Sequence, residues 1–318
     1  MAAAAPPYAW LNGEIVPWDQ CVLHARSQGA FWGANVFEGV RGYWNAADEQ
    51  LYAFRIGDHL ARLHRSMKSL HMEIEHTDAE LGQACVDLVR ANDFRQDVHV
   101  CLVAYFDTGP NFDPLSYTTD TGAHITSTPV PRASAYDRGV AAAISSWRRI
   151  SDDSMPPRIK TGANYHNSRL AQHEAVRNGY ETTFLLNQRG SVAEAPGSCV
   201  VMVRDGELVT PPGTSGALEG ITVATVAEIA SAEMGITLQR REIDRTELYV
   251  ADEIFLCGTM SELLPVISVD RVAIADGVRG PVTSELQRLY DRAVRAQAAH
   301  PGWATPMYPR PASATVTS

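Results

Sequence analysis

Two lysines stand out in this sequence, because nearly every other basic residue is arginine. Of the 27 lysine and arginine residues among 318, only Lys68 and Lys160 are lysine. An arginine guanidinium stays protonated and cannot form an imine, whereas a lysine amine can attack a carbonyl group. A lysine kept in an arginine-rich chain is therefore a candidate for chemistry that arginine cannot perform, although the bias could also leave a stray lysine.

The surroundings of the two lysines separate them. Lys68 lies in HLARLHRSMKSLHM, where apolar residues recur at helical spacing, and we interpret it as a solvated surface charge. Lys160 lies in RIKTGANY, beside a turn of small residues and among apolar segments. Lys160 is therefore the candidate nucleophile.

Three features downstream of Lys160 could complete a site. Gly220, Ile221 and Thr222 open a predicted helix, and backbone N–H groups at a helix N-terminus bind anions. A second Gly-Thr pair, ending at Thr259, follows the apolar strand EIFLC. Glu194 lies in the apolar hairpin SVAEAPGS, so its carboxylate needs a cationic partner, either a protonated pyridine nitrogen or an arginine. Taken singly, the first two features also fit an ordinary helix cap and an ordinary turn.

Composition argues against several other classes of protein. The net charge of −10 is not offset by a basic stripe, which argues against a nucleic-acid partner. The sequence has no HExxH motif and no CxxC pair, so we expect no metal site and expect the five scattered cysteines to be free thiols. No apolar run approaches the ~18–20 residues that cross a membrane, and the start of the chain lacks the features of a signal peptide. We therefore expect a cytoplasmic protein without a membrane partner.

The pattern of elements predicts a mixed α/β (α+β) protein of two domains. AWLNGEIV and VFEGVRGYW-to-LYAFR are typical of hairpins, and DVHVCLVAYF (97–106) is typical of a central strand. Helices are predicted at 58–72, at 78–92 with Asp78 as N-cap, and near 164–178, 222–234 and 283–299. Strands are predicted in VAAAISSW, TTFLLN, SVAEA, CVVMVR and ELVTPP.

Composition also suggests where the domains divide. The segment 129–139 carries two prolines with small and charged residues, so we interpret it as an interdomain loop. It separates a small N-terminal α/β domain (1–128) from a larger C-terminal domain (140–303). The stretch 304–318 is rich in Pro, Ser, Thr and Ala and is predicted to be a disordered tail.

The segments FWGANVFEGVRGY, HLARLHRS, RIKTGANYHNSRLAQHEAVRNGY, VAEAPGS, VTPPGTSGALEGITVATV and ADEIFLCGTMSELLPV follow one another from about Trp10 to Trp303. Their order and content resemble the branched-chain aminotransferases. This family belongs to the fold type IV (D-amino-acid-aminotransferase-like) enzymes, which use pyridoxal 5′-phosphate (PLP). The resemblance implies the two-domain fold of that type, with PLP bound in the C-terminal domain.

The resemblance also implies roles for matching positions. Lys160 matches the Schiff-base lysine, which also moves the proton between Cα and C4′. Glu194 matches the acid that keeps the pyridine nitrogen protonated. The other implied cofactor contacts are Tyr165 at the 3-hydroxyl, Leu218 at the ring face, and Arg62, Gly220, Ile221, Thr222 and Thr259 at the phosphate.

Departures from the family fall on the implied substrate side. The strand DVHVCLVAYF has Val98 and Val100 where the family usually has the Tyr and Arg of Tyr-x-Arg-Pro, and that Arg helps to recognise acidic groups. Trp32 replaces a tyrosine, and Met260 replaces a smaller residue. His99 either contacts substrate or faces the other side of the sheet. The implied substrate-binding residues are Trp32, Phe37, Gly39, Arg41, Val98, Val100, Tyr136 and Met260.

The leading hypothesis is a transaminase of branched-chain type, with an amino donor, a 2-oxo acid or ketone acceptor and a shifted substrate range. An (R)-selective amine or D-amino-acid transaminase is the alternative of the same fold. A PLP lyase similar to aminodeoxychorismate lyase is the alternative of another class. The resemblance further implies a homodimer or higher homo-oligomer.

Overall fold

The protein is described by a computed structural model that covers residues 5–113, 115–298 and 300–309. The strands are β1 (Tyr8–Leu11), β2 (Glu14–Pro17), β3 (Asn35–Asn45), β4 (Gln50–Phe54), β5 (Val98–Phe106), β6 (Thr121–Pro129), β7 (Val140–Arg148), β8 (Thr182–Leu186), β9 (Val192–Glu194), β10 (Cys199–Arg204), β11 (Glu207–Thr210), β12 (Leu238–Arg240), β13 (Glu253–Gly258), β14 (Glu262–Val269), β15 (Val272–Ala273) and β16 (Ala304–Pro306). The α-helices are α1 (Gln28–Phe31), α2 (Ile56–Ser69), α3 (Asp78–Ala91), α4 (Tyr165–Arg177), α5 (Ile221–Ile229) and α6 (Pro281–Val294).

The strands form two sheets. The first has seven strands in the order β16-β4-β3-β5-β6-β1-β2, and each neighbouring pair is antiparallel. The second has nine strands in the order β12-β11-β10-β13-β14-β7-β8-β9, with β15 beside β14, and it mixes parallel and antiparallel pairs. The mixed α/β class is as predicted, and so are the β1–β2 and β3–β4 hairpins.

Helix α2 packs on the hydrophobic core of the first sheet and also contributes a side chain to the cavity described below. Its residues Leu60, Leu63 and Met67 are buried with side chains of α3 and of the first sheet, as the helical spacing predicted. Burial of each of these side chains stabilises the folded protein by roughly 1.5–3 kcal/mol relative to leaving it exposed. The same helix also buries Arg62, which lines that cavity, and His59, which contacts Glu38.

The structure corrects two local predictions. Helix α3 is capped by Thr77 and not by Asp78, because Thr77 and Glu80 form a capping box in which each side chain accepts a hydrogen bond from the other's backbone N–H. The predicted tail begins as strand β16, which pairs with β4 while Met307 is fully buried. Two contacts order residues 304–309: β16 pairs with β4, which would otherwise be an edge strand, and the Met307 side chain is buried. Residues 310–318 lie outside the described residues.

Residues 130–139 connect β6 of the first sheet to β7 of the second sheet. The domain boundaries drawn from composition stay a prediction. No helix in the described ranges has the length and apolar character needed to cross a membrane. The five cysteines are free thiols, and Cys85, Cys199 and Cys257 are buried.

Candidate active site

A cavity of about 290 Å³ lies where elements of both sheets meet. The first sheet and α2 contribute one wall, and the segments around Lys160, the β9–β10 turn, the start of α5 and the β13–β14 turn contribute the other. Its lining includes Phe37, Gly39, Arg62, His99, Arg149, Lys160, Tyr165, Glu194, Cys199, Leu218, Gly220, Ile221, Thr222, Cys257, Thr259 and Met260.

Lys160 is held in this cavity by its backbone. Its N–H donates to Ser66 Oγ of α2 at 3.2 Å, and its carbonyl accepts from the N–H of Phe37 in β3 at 3.0 Å. The side-chain Nζ donates to Tyr165 Oη at 2.5 Å and lies 4.4 Å from the centre of the Phe37 ring. An amine held between a phenol and an aromatic face is confined to a small volume, which is what a positioned nucleophile requires.

Glu194 is a buried carboxylate with two partners. Arg149 Nη2 lies 2.9 Å from its Oε1, and the N–H of Leu218 donates to its Oε2 at 2.8 Å. Arg149 is itself held by the carbonyl of Gly216 and by Asn167 Oδ1. Burial raises the pKa of Glu194, and Arg149 and the Leu218 N–H oppose that rise. The partner that the sequence required is therefore an arginine, one of the two candidates.

Arg62 is fixed by a second buried carboxylate. Its Nε and Nη2 donate to Glu38 Oε1 and Oε2 at 2.6 and 2.7 Å, and His59 Nδ1 lies 2.7 Å from Oε2. Burial alone would raise the pKa of Glu38, but the hydrogen bonds and charge of Arg62, with His59, lower it to about 2. The two-point pairing sets the plane of the guanidinium. Its Nη1 donates to the carbonyl of Glu219, at the approach to α5.

The N-terminus of α5 opens on the cavity. Gly220 occupies the N-cap position, and no side chain caps the free N–H groups of the first turn. A Cβ at Gly220 would collide with Cys199 Sγ, which lies 2.6 Å from that position, so only glycine fits here. Ile221 and Thr222 follow it into the cavity wall, and Thr259 faces the same space. Uncapped N–H groups, two hydroxyls and the Arg62 guanidinium are the kinds of donor that can hold a phosphate, and they share this part of the cavity.

Most residues singled out in the sequence meet in this cavity, although their individual roles stay predictions. Of the implied cofactor contacts, those that line it are Lys160, Arg62, Tyr165, Glu194, Leu218, Gly220, Ile221, Thr222 and Thr259. Of the implied substrate-binding residues, those that line it are Phe37, Gly39 and Met260. Lys68 is exposed on α2, in agreement with the surface role predicted for it.

Five residues assigned to the substrate lie elsewhere. The prediction for Val98 and Val100 is wrong: strand alternation turns both side chains into the core against α2 and α3, and His99 between them faces the cavity. Arg41 is not among the lining residues; its guanidinium is buried near Glu262 and Asp97.

Tyr136 and Trp32 also lie outside the cavity wall of this single chain. Tyr136 is buried beneath the Arg132 guanidinium, which lies 4.4 Å from the centre of its ring. Trp32 is 51% exposed at the end of α1.

Sequence reasoning did not identify Arg149 and did not assign partners to Glu38 and His59. The requirement of Glu194 for a cation was the available signal for Arg149, but the sequence has 25 arginines that could meet it. Glu38 lies in the FEGVR segment, which was singled out in the sequence. Nothing in the pattern indicated that it would pair with Arg62, which lies on a helix 24 residues further along the chain.

Comparison with known proteins places this geometry in context. A sequence profile described as Amino-transferase class IV matches residues 35–269. The probable branched-chain-amino-acid aminotransferase of Aquifex aeolicus is 35% identical over 306 residues, covering 95% of this chain and 97% of the relative. The crystal structure of the branched-chain amino acid aminotransferase from Thermobaculum terrenum in its PLP form is similar with a TM-score of 0.90 and 43% identity, covering 96% of this chain and all of that one.

A second solved structure is similar over nearly the same share of the chain. The branched-chain aminotransferase of the thermophilic archaeon Thermoproteus uzoniensis, solved with norvaline, has a TM-score of 0.90 and 38% identity, covering 95% of this chain and all of that one.

Proposed function

The chain belongs to the class IV aminotransferase family, and from that premise we propose that it transfers amino groups between branched-chain L-amino acids and 2-oxo acids. It is a PLP-dependent transaminase. The observation that carries the proposal is that Lys160, whose Nζ donates to Tyr165 Oη, lines the same cavity as the buried Glu194.

The residues present fit PLP. The uncapped start of α5 with Arg62, Thr222 and Thr259 suits the phosphate, because it offers N–H, hydroxyl and guanidinium donors without a competing side-chain cap. Glu194 would hold the ring nitrogen, and Leu218 would lie against the ring face. The cavity volume of about 290 Å³ is close to the lower end of ordinary ligand sites.

The chemistry that PLP supplies when bound is an electron sink for the carbanion at the substrate Cα. Lys160 would provide the amine that anchors the cofactor and the base that removes and returns a proton on the substrate. The Tyr165 hydroxyl accepts a hydrogen bond from Nζ and orients it. Glu194, with its pKa raised by burial, would hold a proton at the ring nitrogen of bound PLP, and Arg149 keeps the carboxylate in place.

The branched-chain substrate class is supported by the apolar part of the cavity wall and by the names of the relatives. Phe37, Ile159 and Met260 present apolar surface, and Gly39 leaves room beside them. Such a wall favours an aliphatic side chain by roughly 25 cal/mol per Å² of area removed from water.

Substrate profiling of the PLP-loaded enzyme tests the proposal. L-leucine, L-isoleucine and L-valine should each release their 2-oxo acid in the absence of an acceptor, with one equivalent of amino group retained on the enzyme, as a ping-pong cycle requires. Conversion restricted to D-amino acids or (R)-amines would overturn the branched-chain assignment and favour the alternative of the same fold.

A homodimer is part of the proposal. Phe31 and Trp32 are 53% and 51% exposed at the end of α1. A Cβ placed on the adjoining Gly33 would lie 3.4 Å from the backbone nitrogen of Ala163, three residues after Lys160. An exposed aromatic pair beside the cavity is suited to contact with a second subunit. In that arrangement Trp32 would reach substrate. Sedimentation of the intact protein and of Trp32→Ser would test the dimer, which the variant should lose.

Replacement of Arg62 should weaken cofactor retention. Arg62→Met removes a charged donor from the phosphate region and should raise the Kd for PLP about 10- to 100-fold, the range expected for one hydrogen bond to a charged group. It also leaves Glu38 buried without its cation, so the melting temperature should fall as well. Equilibrium dialysis of PLP against the apoenzyme measures the first effect.

Two further variants separate cofactor binding from folding. Arg65→Met changes an exposed arginine of the same helix and should leave the Kd unchanged. Thr222→Val removes only a hydroxyl from the cavity wall and should weaken PLP binding without exposing a buried charge. Unchanged PLP affinity in both Arg62→Met and Thr222→Val would contradict the phosphate assignment.

A further inference from the structure

The hairpin turn between β13 and β14 forms part of the cavity wall. Its residues Thr259, Met260 and Ser261 all line the cavity. Gly258 at the end of β13 pairs with Glu262 at the start of β14, and this pair closes the turn. The contacts that hold Glu262 therefore also set the position of this part of the wall.

Glu262 has a backbone conformation that glycine adopts more readily. Its φ is +51°, in the left-handed region, where a side chain crowds the following carbonyl oxygen. Glu262 is also only 1% exposed, so its carboxylate is buried and needs cationic partners. Glycine at this position would avoid both costs, which indicates that the carboxylate has a role that the backbone alone cannot fill.

Two arginines from outside the second sheet supply the positive charge. Arg132, in the segment that joins the two sheets, donates from Nε to Glu262 Oε2 at 2.8 Å and from Nη2 to Oε1 at 3.1 Å. Arg41 of β3 places its Nη1 3.7 Å from the same Oε2. Arg132 Nη2 also donates to Asp291 Oδ1 of α6 at 2.6 Å. The Glu262 carboxylate thus joins the turn to the first sheet and to the connecting segment.

Arg41 also contacts the turn itself. Its Nη1 donates to the carbonyl of Met260 at 3.4 Å, and its Nη2 donates to the carbonyl of Val130 at 3.3 Å. Arg41 is buried, so water does not compete for these acceptors. The turn is therefore held at two places, the Met260 backbone and the Glu262 side chain, and neither Arg41 nor Glu262 is among the residues that line the cavity.

We propose that Glu262 is a positioning residue whose carboxylate, through Arg41 and Arg132, fixes the β13–β14 turn and so keeps Thr259 and Met260 in place in the cavity wall. This inference rests on the proposed function, because Thr259 matters to the cofactor only if its hydroxyl contacts the phosphate of PLP. Glu262 itself would touch neither cofactor nor substrate.

Equilibrium dialysis of PLP against the apoenzyme tests the inference with two substitutions. Glu262→Gln keeps the shape of the side chain without its charge, and Glu262→Gly relieves the left-handed backbone but removes the carboxylate. Each should raise the Kd for PLP about 3- to 10-fold, less than the roughly 10- to 100-fold rise expected when Thr259→Val deletes a hydrogen bond to a charged group. A Glu262→Gly protein that binds PLP as tightly as the unmodified protein would overturn the inference, because the backbone conformation alone would then suffice.

A double substitution distinguishes positioning from a general loss of stability. If Glu262 acts through the Thr259 hydroxyl, its replacement has nothing left to displace once that hydroxyl is gone. The Kd for PLP of the protein that carries both Glu262→Gln and Thr259→Val should therefore match that of Thr259→Val within about twofold. Multiplication of the two single effects would show that the sites are independent and would overturn the inference.

Glu253→Gln is the matched control. Glu253 is a buried glutamate of β13 that accepts hydrogen bonds from the N–H groups of Val282 and Thr283, and it does not line the cavity. Its replacement should lower the melting temperature and leave the Kd for PLP unchanged. Arg132→Gln alters a partly exposed partner of the carboxylate and should raise the Kd as Glu262→Gln does. Unchanged PLP affinity in Arg132→Gln would also contradict the inference.

These measurements use no amino acid, so they are independent of the substrate. A protein that shows the coupling between Glu262 and Thr259 but fails to convert branched-chain amino acids would refute the proposed function and leave the role of Glu262 standing. Conversion of L-leucine without that coupling would refute the role of Glu262 alone.

Discussion

Lys160→Ala should abolish amino transfer while leaving the fold intact. The substitution removes the amine that we propose as the anchor of the cofactor and as the base that moves the substrate proton, and positioned proton transfer alone contributes about 10²–10⁴-fold. The fold should survive because the backbone bonds of Lys160 to Ser66 and Phe37 do not involve its side chain. Turnover with L-leucine measures the first effect, and thermal melting measures the second.

Covalent attachment gives a readout independent of turnover. Borohydride treatment of the PLP-loaded enzyme should fix the cofactor to the peptide that contains Lys160, which mass spectrometry detects, and Lys160→Ala should carry no such mass. Lys160→Arg keeps the positive charge and should behave like Lys160→Ala, because a guanidinium cannot form an imine. Lys68→Ala changes an exposed residue and should retain both labelling and turnover. A labelled, active Lys160→Ala enzyme would contradict the assignment.

Much of the fold was predictable because local signals agreed with the tertiary structure. The hairpins at Asn12–Gly13 and at β3–β4, the central strand β5 and the amphipathic helices were all visible in residue types and periodicity. The errors arose where a distant partner decides the structure. Strand β16 is ordered because β4 offers an unpaired edge and Met307 finds a buried place, and neither fact is encoded in the composition of residues 304–309.

The sequence predicted which residues would line the cavity on its cofactor side, but not which of them would form ion pairs. A buried Glu194 implied a cation, yet only the fold brings Arg149 to it across 45 residues of sequence. The substrate side was less predictable still. Val98 and Val100 were chosen by alignment of a motif, but strand alternation places His99 in the cavity instead, and which face of a strand is buried depends on the helices that pack against it.

Glu194→Gln should lower amino transfer by about 10²–10³-fold, the range observed when one charge-stabilising group is removed from an active site. A neutral amide cannot hold the proton at the ring nitrogen, so the electron sink weakens although the cofactor still binds at its phosphate. The replacement also leaves Arg149 buried without its counter-charge, so the free energy of unfolding should fall, by up to about 3–5 kcal/mol. Turnover must therefore be measured well below the melting temperature of the variant.

The two effects can be separated because the same sheet contains a second buried glutamate with a purely structural setting. Glu253 accepts hydrogen bonds from the first turn of α6, through the N–H groups of Val282 and Thr283 and the hydroxyl of Thr283, and does not line the cavity. Glu253→Gln should reduce stability without reducing turnover per folded molecule. PLP labelled with ¹⁵N at the ring nitrogen should report loss of the ring proton in Glu194→Gln and its retention in Glu253→Gln. A ring nitrogen still protonated in Glu194→Gln, with turnover unchanged, would show that the carboxylate serves only to neutralise Arg149.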